Sequence, residues 1–210
     1  LPHTWSLAIE VHFYLLWSIT VACVVRRSVQ PARTLLIIAL VAASVSALWR
    51  MHLWHEGSNW LRLYLGTDTR LDGLFIGSAA ACWRFCAPRP APARRAVPGR
   101  GAAAIGGLAV LVALISLVPW QRGALPHLVG FPAAAAASAL LILTSLRSPR
   151  SPVARVLATP LLTWFGTVSY SLYLWHVPVL KALSSERLEA RGIPMLAAES
   201  IRIALCVVVA

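Results

Sequence analysis

The sequence predicts an all-α protein, a polytopic bundle of transmembrane helices. Of its 210 residues, 59% are apolar and 12% are charged, and the mean hydropathy of +0.72 is far above that of a soluble domain. Six apolar segments approach the roughly 20 residues that a helix needs to cross a bilayer, and a truncated seventh follows. The predicted spans cover residues 7–25, 34–53, 71–87, 101–118, 128–146, 161–183 and 200–210.

The charged residues between these spans predict the topology. The connections after the first, third and fifth spans contain eleven arginines and no acidic residue, whereas the alternate connections contain every acidic residue except Glu10. The positive-inside rule therefore places the first set in the cytoplasm and Leu1 outside. The basic residues that give the net charge of +12 lie between apolar runs rather than on the face of a soluble domain. The predicted partner is therefore the lipid bilayer and not a nucleic acid.

The longest cytoplasmic connection, residues 88–100, is basic and rich in proline, which is typical of a linker between two membrane subdomains. It could also attract the phosphates of CoA, although topology alone explains its charge. No internal repeat or second soluble domain is apparent, so residues 1–210 are interpreted as one partial membrane domain. The cysteines lie in or beside apolar runs without the spacing of a metal site, which favours buried free thiols: Cys23, Cys82, Cys86 and Cys206.

Three polar clusters stand out, because ionisable groups inside spans are costly and usually mark a cavity or pathway. In the first, Ser6 is a candidate N-cap, and Glu10, Tyr14 and Trp17 share one helical face. Glu10 should lie about one turn, roughly 6 Å, below the outer surface. The alternative is a carboxylate that is favoured by the helix N-terminus and wetted from outside.

The second cluster opens the third span. Thr67 or Asp68 can cap this helix, and Asp68 and Asp72 are like charges four residues apart, which is unfavourable unless a cation lies close by. The planar guanidinium of Arg70 can bind a carboxylate or phosphate with two parallel hydrogen bonds. Structural pairing and contact with a substrate both remain open for this cluster.

The third cluster lies in the sixth span, where Ser169, Tyr173 and His176 fall on one stripe and Pro178 frees a backbone carbonyl. His176 could equally be a packing residue with a satisfied hydrogen bond. All three clusters are predicted in the outer half of the membrane, which leads to the hypothesis of one shared, outward-facing polar cavity.

Together, the three clusters resemble the acyltransferase-3 family of integral membrane O-acyltransferases. The family signatures read His-Thr-Trp-Ser-Leu-x-x-Glu-x-x-Phe-Tyr-Leu-Leu, Thr-Asp-x-Arg-x-Asp with a later Gly, and Gly-x-x-Ser-Tyr-Ser-Leu-Tyr-Leu-Trp-His-x-Pro. This chain matches them in order at residues 3–16, 67–77 and 166–178. The resemblance covers the later two thirds of the family domain.

The resemblance implies transfer of an acyl group, usually acetyl, from cytoplasmic acyl-CoA to a hydroxyl of a cell-surface glycan, a lipid-linked saccharide or a similar acceptor. Acyl-CoA is then a co-substrate, and neither a bound cofactor nor a metal is expected. The implied catalytic residues are Glu10 and His176. The implied substrate contacts are Ser6, Tyr14, Asp68, Arg70, Asp72, Ser169 and Tyr173.

The family also has earlier spans that carry a basic residue, a His thought to be the base, and a paired-Arg motif. These are expected upstream of Leu1, so the chain is interpreted as a fragment that is inactive alone. The excess of Arg over Lys and the abundant Ala suggest a GC-rich bacterial genome and a plasma (inner) membrane location. A non-enzymatic transporter, with broken helices and inverted repeats, and a passive scaffold subunit are the alternatives.

Overall fold

The computed structural model describes residues 5–86, 100–117, 126–184, 188 and 192–209. Helices make up almost all of these ranges, and no strand occurs in them, which confirms the all-α prediction. The helices, numbered in chain order, are α1 Trp5–Arg27, α2 Pro31–His55, α3 Trp60–Leu65, α4 Thr67–Cys86, α5 Arg100–Leu117, α6 Phe131–Arg147, α7 Pro152–Leu157, α8 Pro160–Ala182 and α9 Met195–Val209. A π-helical turn, Pro126–Gly130, leads into α6.

Within the described ranges, three helices are long and apolar enough to cross a membrane: Trp5–Arg27, Pro31–His55 and His127–Arg147. Residues 102–116 within α5 form a shorter apolar helix. This composition fits a multi-pass membrane protein. The count of six complete spans and a seventh stays a prediction, and most of the predicted linker 88–100 lies outside the described residues.

The chain forms two compact units. The larger unit, Trp5–Ala154, is built around α4, which packs most extensively against α2 and also contacts α1 and α6. The smaller unit is formed by Arg155–Ala210, in which α8 packs against α9.

The buried face of α2, which packs mainly against α4, contains several small residues. The buried positions of α2 recur at helical spacing and end on a buried cation: Leu35, Ala39, Ala43, Ser46 and Arg50. Small side chains let two helix backbones approach closely. Such close packing drives helix association in lipid, where the hydrophobic effect does not. Ser46 and Arg50 donate to the carbonyls of Asp68 and Thr69, so the C-terminal end of α2 lies against the first turn of α4.

An aromatic cluster fixes α1 against α4. The ring of Phe75 in α4 makes edge contacts with Phe13 at 5.3 Å and Trp17 at 5.7 Å between centroids. Phe13 is buried, and such edge-to-face contacts add to the burial of aromatic area. The cluster lies one to two turns beyond Glu10 on α1, so it positions the polar start of that helix beside the start of α4.

Candidate active site

A pocket between the N-terminal ends of α1 and α4 brings the first two polar clusters together. Its volume is about 190 Å³. Glu10 and Ser6 line it from α1, and Arg70 lines it from α4. The remaining lining side chains are Trp5, Ile9 and Leu74, so the polar groups lie in an otherwise apolar wall.

Two aromatic rings hold the Arg70 side chain. Its guanidinium carbon lies 3.7 Å from the ring centre of Phe131 and 5.6 Å from that of Tyr64. Cation–π contacts of this kind attract a guanidinium without occupying its N–H donors. Within the described part of the chain, Arg70 makes no ion pair with a carboxylate, and none joins it to Glu10 across the pocket. Its donors are therefore available to a ligand.

Asp72 does not pair with Arg70 because Arg50 of α2 binds it. The two guanidinium nitrogens of Arg50 lie 3.0 and 2.8 Å from the two carboxylate oxygens of Asp72. Arg50 also donates to the backbone carbonyl of Thr69. Arg50 is fully buried and Asp72 is 2% exposed, so removing either partner would leave an uncompensated buried charge.

Asp68 is held by a different cation. Arg62 donates to its two carboxylate oxygens at 2.9 and 2.6 Å, and the indole N–H of Trp49 donates at 2.7 Å. The Arg62 hydrogen bonds, followed by that of Trp49, hold the pKa of the Asp68 carboxyl below its usual value. The pair is about half exposed and contributes little to stability.

Side-chain hydroxyls hold the turn between α3 and α4 next to the Arg50–Asp72 and Arg62–Asp68 pairs. The Thr69 hydroxyl donates to the carbonyls of Leu63 and Gly66, and the Ser46 hydroxyl donates to the carbonyl of Asp68. A Cβ at Gly66 would lie 1.9 Å from the Arg62 guanidinium. A larger residue at position 66 would therefore displace the Arg62 guanidinium from its place beside Asp68.

His127, in the π-helical turn, is buried behind Arg70. It is 0% exposed, and neither ring nitrogen has a hydrogen-bond partner in the structure. Its ring packs 5.6 Å from Phe131 and 6.1 Å from Trp54. It thus supports the ring on which Arg70 stacks.

Two details of the first cluster differ from the sequence-based expectation. Helix α1 already includes Trp5, so Ser6 lies within the helix and is not its N-cap. Ser6 nevertheless lines the pocket. Tyr14 is 59% exposed, contacts the Phe13 ring, and is not among the residues that line the pocket. The shared helical face therefore does not bring Tyr14 to Glu10's pocket.

The third cluster lies on α8 of the smaller unit. His176 Nδ1 lies 2.5 Å from the carbonyl oxygen of Tyr173, and the Cys206 thiol donates to the carbonyl of His176 at 3.9 Å. A carbonyl only accepts, so Nδ1 donates its proton in this hydrogen bond. Ser169 is exposed, and its hydroxyl donates to the carbonyl of Gly166 at 2.8 Å.

The structure thus unites Glu10, Ser6 and Arg70 in one pocket and gives Asp68 and Asp72 arginine partners beside it. The hypothesis that His176 joins the same cavity stays a prediction. Sequence reasoning missed Arg50, Arg62 and the rings that hold Arg70. One signal pointed to the two arginines: residues 50–72 contain three arginines and three acidic residues, so two neighbouring carboxylates had local cations available.

Comparison with known proteins shows the family of the chain. The family model described as "Acyltransferase domain" matches residues 1–208. The chain is 31% identical over 182 residues to the peptidoglycan O-acetyltransferase OatA of Listeria monocytogenes, which covers 86% of this chain and 29% of the relative. It is 33% identical over 193 residues to the O-acetyltransferase OatA of Staphylococcus aureus, which covers 88% of this chain and 30% of the relative.

These matches define the class as that of membrane-associated acyltransferase domains. The chain belongs to the acyltransferase-3 family. It spans less than a third of the length of the relatives that it matches. No solved structure matches the chain significantly.

Proposed function

We propose that this chain is the later part of a membrane O-acetyltransferase that moves an acetyl group from cytoplasmic acyl-CoA to a hydroxyl of a cell-surface glycan. The peptidoglycan O-acetyltransferase among its relatives supports a sugar of the cell wall as the acceptor. The observation that carries the proposal is the pocket in which Glu10 and Arg70 lie without an ion pair between them. Because the two charged groups are not paired with each other, the carboxylate can bind one reactant while the guanidinium binds the other.

The two side chains suit the two reactants of acyl transfer. The Glu10 carboxylate accepts a hydrogen bond from the acceptor hydroxyl and orients its oxygen for attack. Arg70 donates to the acyl carbonyl oxygen and stabilises the negative charge that develops there. The new bond joins the hydroxyl oxygen to the acyl carbon, the carbon–sulfur bond breaks, and the hydroxyl proton ends on the released thiol.

The size of the pocket suits the binding of the two reacting groups rather than of two whole substrates. Its volume of about 190 Å³ is below the roughly 300 Å³ at which sites for whole small molecules begin. It can take an acyl group and the carbon that bears the hydroxyl, while the rest of the acceptor lies outside it. The aromatic support of Arg70 by Phe131 and Tyr64 keeps the guanidinium in place before substrate arrives.

The other predicted site residues are assigned supporting roles. Asp68 and Asp72 fix the first turns of α4 through Arg62 and Arg50 and thereby position Arg70. His176 is proposed to take part in proton transfer, with its Nδ1 beside the carbonyl oxygen of Tyr173 and with Ser169 on the same helix. Ser6, which lines the pocket, is proposed to contact the acceptor as it enters from outside. Tyr14 lies one turn beyond Glu10 and does not line the pocket, so no contact with the acceptor is assigned to it.

The acyl donor is proposed from the family resemblance, the outward orientation of Leu1 from the charge pattern, and the plasma membrane location from the composition. Because the chain spans less than a third of its relatives, catalysis is proposed to require segments outside these 210 residues, including the expected upstream base. The isolated chain should therefore be inactive, although it contains the Glu10–Arg70 pocket.

The first test replaces Glu10 by Gln in the complete protein. We expect acetyl transfer to fall by about tenfold or more, because the amide cannot accept a proton or orient a hydroxyl as the carboxylate does. The assay measures transfer from labelled acetyl-CoA to a cell-wall glycan at matched protein levels. Glu56→Gln is the matched control, since Glu56 is exposed beyond the end of α2 and does not line the pocket.

A companion variant tests the guanidinium. Arg70→Lys keeps the positive charge but loses the planar fork and most of the stacking on Phe131. We expect a loss of kcat comparable to that of Glu10→Gln. Undiminished transfer by both variants, at wild-type expression, would remove the pocket from the chemistry.

A further inference from the structure

His127 is a buried polar residue that the proposed reaction does not use. It lies in the π-helical turn Pro126–Gly130, is 0% exposed, and does not line the Glu10–Arg70 pocket. In the described part of the chain, neither of its ring nitrogens has a hydrogen-bond partner. Buried polar atoms without partners are rare and cost free energy, whereas a phenylalanine ring would fill a similar space without that cost. Packing alone therefore does not account for a histidine at this position.

We propose that His127 is a positioning residue for Arg70, and that it makes the position of the Arg70 guanidinium depend on pH. The neutral imidazole holds the aromatic support of Arg70, whereas a protonated imidazole leaves its buried position and releases that support. The inference rests on the proposed function and adds to it a response of acetyl transfer to acid.

A continuous row of ring contacts leads from His127 to Arg70. The imidazole stacks on Trp54 of α2 at 6.1 Å between ring centres, with 27° between the two planes. It also makes an edge contact with Phe131 at 5.6 Å, and the Arg70 guanidinium carbon lies 3.7 Å from the centre of the Phe131 ring. If the imidazole leaves, the Phe131 ring gains room to move, and the guanidinium moves with it. A shift of about 1 Å in a group that contacts the reacting atoms can cost about a hundredfold in rate.

Two positive charges act on the imidazole, those of Arg70 on α4 and Arg50 on α2. Both guanidinium carbons lie close to the Phe131 ring that the imidazole contacts, at 3.7 and 5.9 Å from its centre. The acid of this cluster, Asp72, is already paired, because Arg50 binds both of its carboxylate oxygens. A proton on His127 would therefore add a third positive charge at a position that water does not reach.

The other ionisable groups around the π-helical turn are exposed or distant. The turn packs mainly against α6, α2 and α3. Helix α6 contains one ionisable residue, Arg147, at its far end. The remaining ionisable side chains on α3 and at the C-terminal end of α2 are exposed: His52, His55, Glu56, Arg62 and Tyr64. The protonation of His127 is thus governed by Arg50, Arg70 and the access of water.

Acid should therefore open the contact between His127 and Phe131. The neutral ring fits the buried position, whereas a ring that turns out to water can take a proton and gain hydrogen bonds for both nitrogens. The buried arrangement is complete above about pH 6.5, where a free histidine is mostly neutral, and is lost progressively as the pH falls below that value. Each further pH unit shifts the balance toward the open arrangement by up to about tenfold. The rate of acetyl transfer should fall with it.

The experiment measures acetyl transfer by the complete protein in lipid nanodiscs, for wild type, His127→Ala and His127→Phe. At about pH 7.5 we expect His127→Ala to lower kcat about tenfold without raising KM for the acceptor, because His127 lies outside the pocket. His127→Phe should recover most of that loss, since it restores a ring. Because phenylalanine takes no proton, the ratio of kcat for His127→Phe to kcat for wild type should rise about tenfold from about pH 7.5 to about pH 5.5. Glu10 and other titrating groups are present in both proteins and cancel in this ratio.

His55→Phe is the matched control, because His55 is an exposed histidine at the end of α2 that does not line the pocket. Its kcat ratio to wild type should not change with pH. A double-mutant cycle tests whether His127 acts through Arg70. In an Arg70→Lys background, which has lost most of the stacking on Phe131, His127→Ala should lower kcat little further. Additive losses in the cycle, or a ratio for His127→Phe that does not depend on pH, overturn the proposal.

Thermal unfolding separates the failure of this inference from the failure of the proposed function. The melting temperature of the wild type should fall more steeply with acid than that of His127→Phe, whether or not the protein transfers acetyl groups. That difference without any acetyl transfer supports the buried neutral imidazole and removes the proposed reaction. Acetyl transfer by wild type and His127→Phe with the same pH dependence removes the inference and leaves the enzyme. The phenylalanine variant keeps the ring, so this comparison decides the matter even if His127→Ala does not fold.

Discussion

Three arginines near the start of α4 have different environments and therefore different consequences. Arg50 is fully buried and forks onto Asp72, whereas Arg62 is about half exposed and pairs with Asp68. Arg70 stacks on Phe131 and lies in the Glu10–Arg70 pocket. Arginine thus has three roles here. Arg50 joins two helices in a buried contact, Arg62 forms a surface ion pair, and Arg70 is a candidate contact for the reacting acyl group.

The two carboxylates of this segment should differ sharply when neutralised. Asp72→Asn leaves the buried Arg50 charge without its partner, and we expect a loss of about 3–5 kcal/mol. Asp68→Asn removes only a half-exposed pair, for which we expect about 1 kcal/mol or less. Thermal unfolding in detergent measures both, and equal losses would contradict the assigned burial.

The sequence predicted the conflict between Asp68 and Asp72 but not its resolution. Like charges four residues apart require cations, and that requirement is local. The cations come from Arg62 on α3 and from Arg50, which lies 22 positions before Asp72. Which arginine meets which carboxylate depends on the packing of α2 against α4, and this tertiary information is not contained in helical spacing.

At the scale of the element, hydropathy predicted the long helices well. The segment 34–53 is α2, Pro31–His55, and 161–183 is α8, Pro160–Ala182. The six-residue helix α3 was not predicted because it is too short to produce a periodic pattern, although it carries the Trp60 and Tyr64 rings beside the site. Short apolar runs between spans carry little signal for or against a helix.

The packing of α5 against α6 provides a test at this scale. A Cβ at Gly107 would lie 3.1 Å from the backbone oxygen of Ala137, whereas a Cβ at the adjacent Gly106 would meet nothing within 4 Å. Gly107→Val should therefore push the two helices apart and cost about 1–3 kcal/mol from overpacking. Gly106→Val has the same helix propensity and serves as the control in thermal unfolding. Equal stabilities for the two variants would contradict the close approach.

At the scale of the molecule, the alternation of charge predicts an orientation that labelling can test. In a version without native cysteines, Ser58→Cys lies between α2 and α3, and Val29→Cys lies between α1 and α2, where Val29 is 97% exposed. A membrane-impermeant maleimide should label position 58 in intact cells and position 29 only after permeabilisation. The opposite pattern would place Glu10 on the cytoplasmic side and exclude a cell-surface acceptor.

The pairing of Arg50 with Asp72 also bears on how the chain enters the membrane during synthesis. Helix α4 is not among the helices apolar enough to cross a membrane, and it begins with Asp68, Arg70 and Asp72. A segment of this kind partitions poorly into lipid alone. Helix α2 leaves the ribosome earlier and carries the cation that neutralises Asp72. We therefore expect α2 and α4 to leave the translocon together as a hairpin in which the Arg50 and Asp72 charges are already paired.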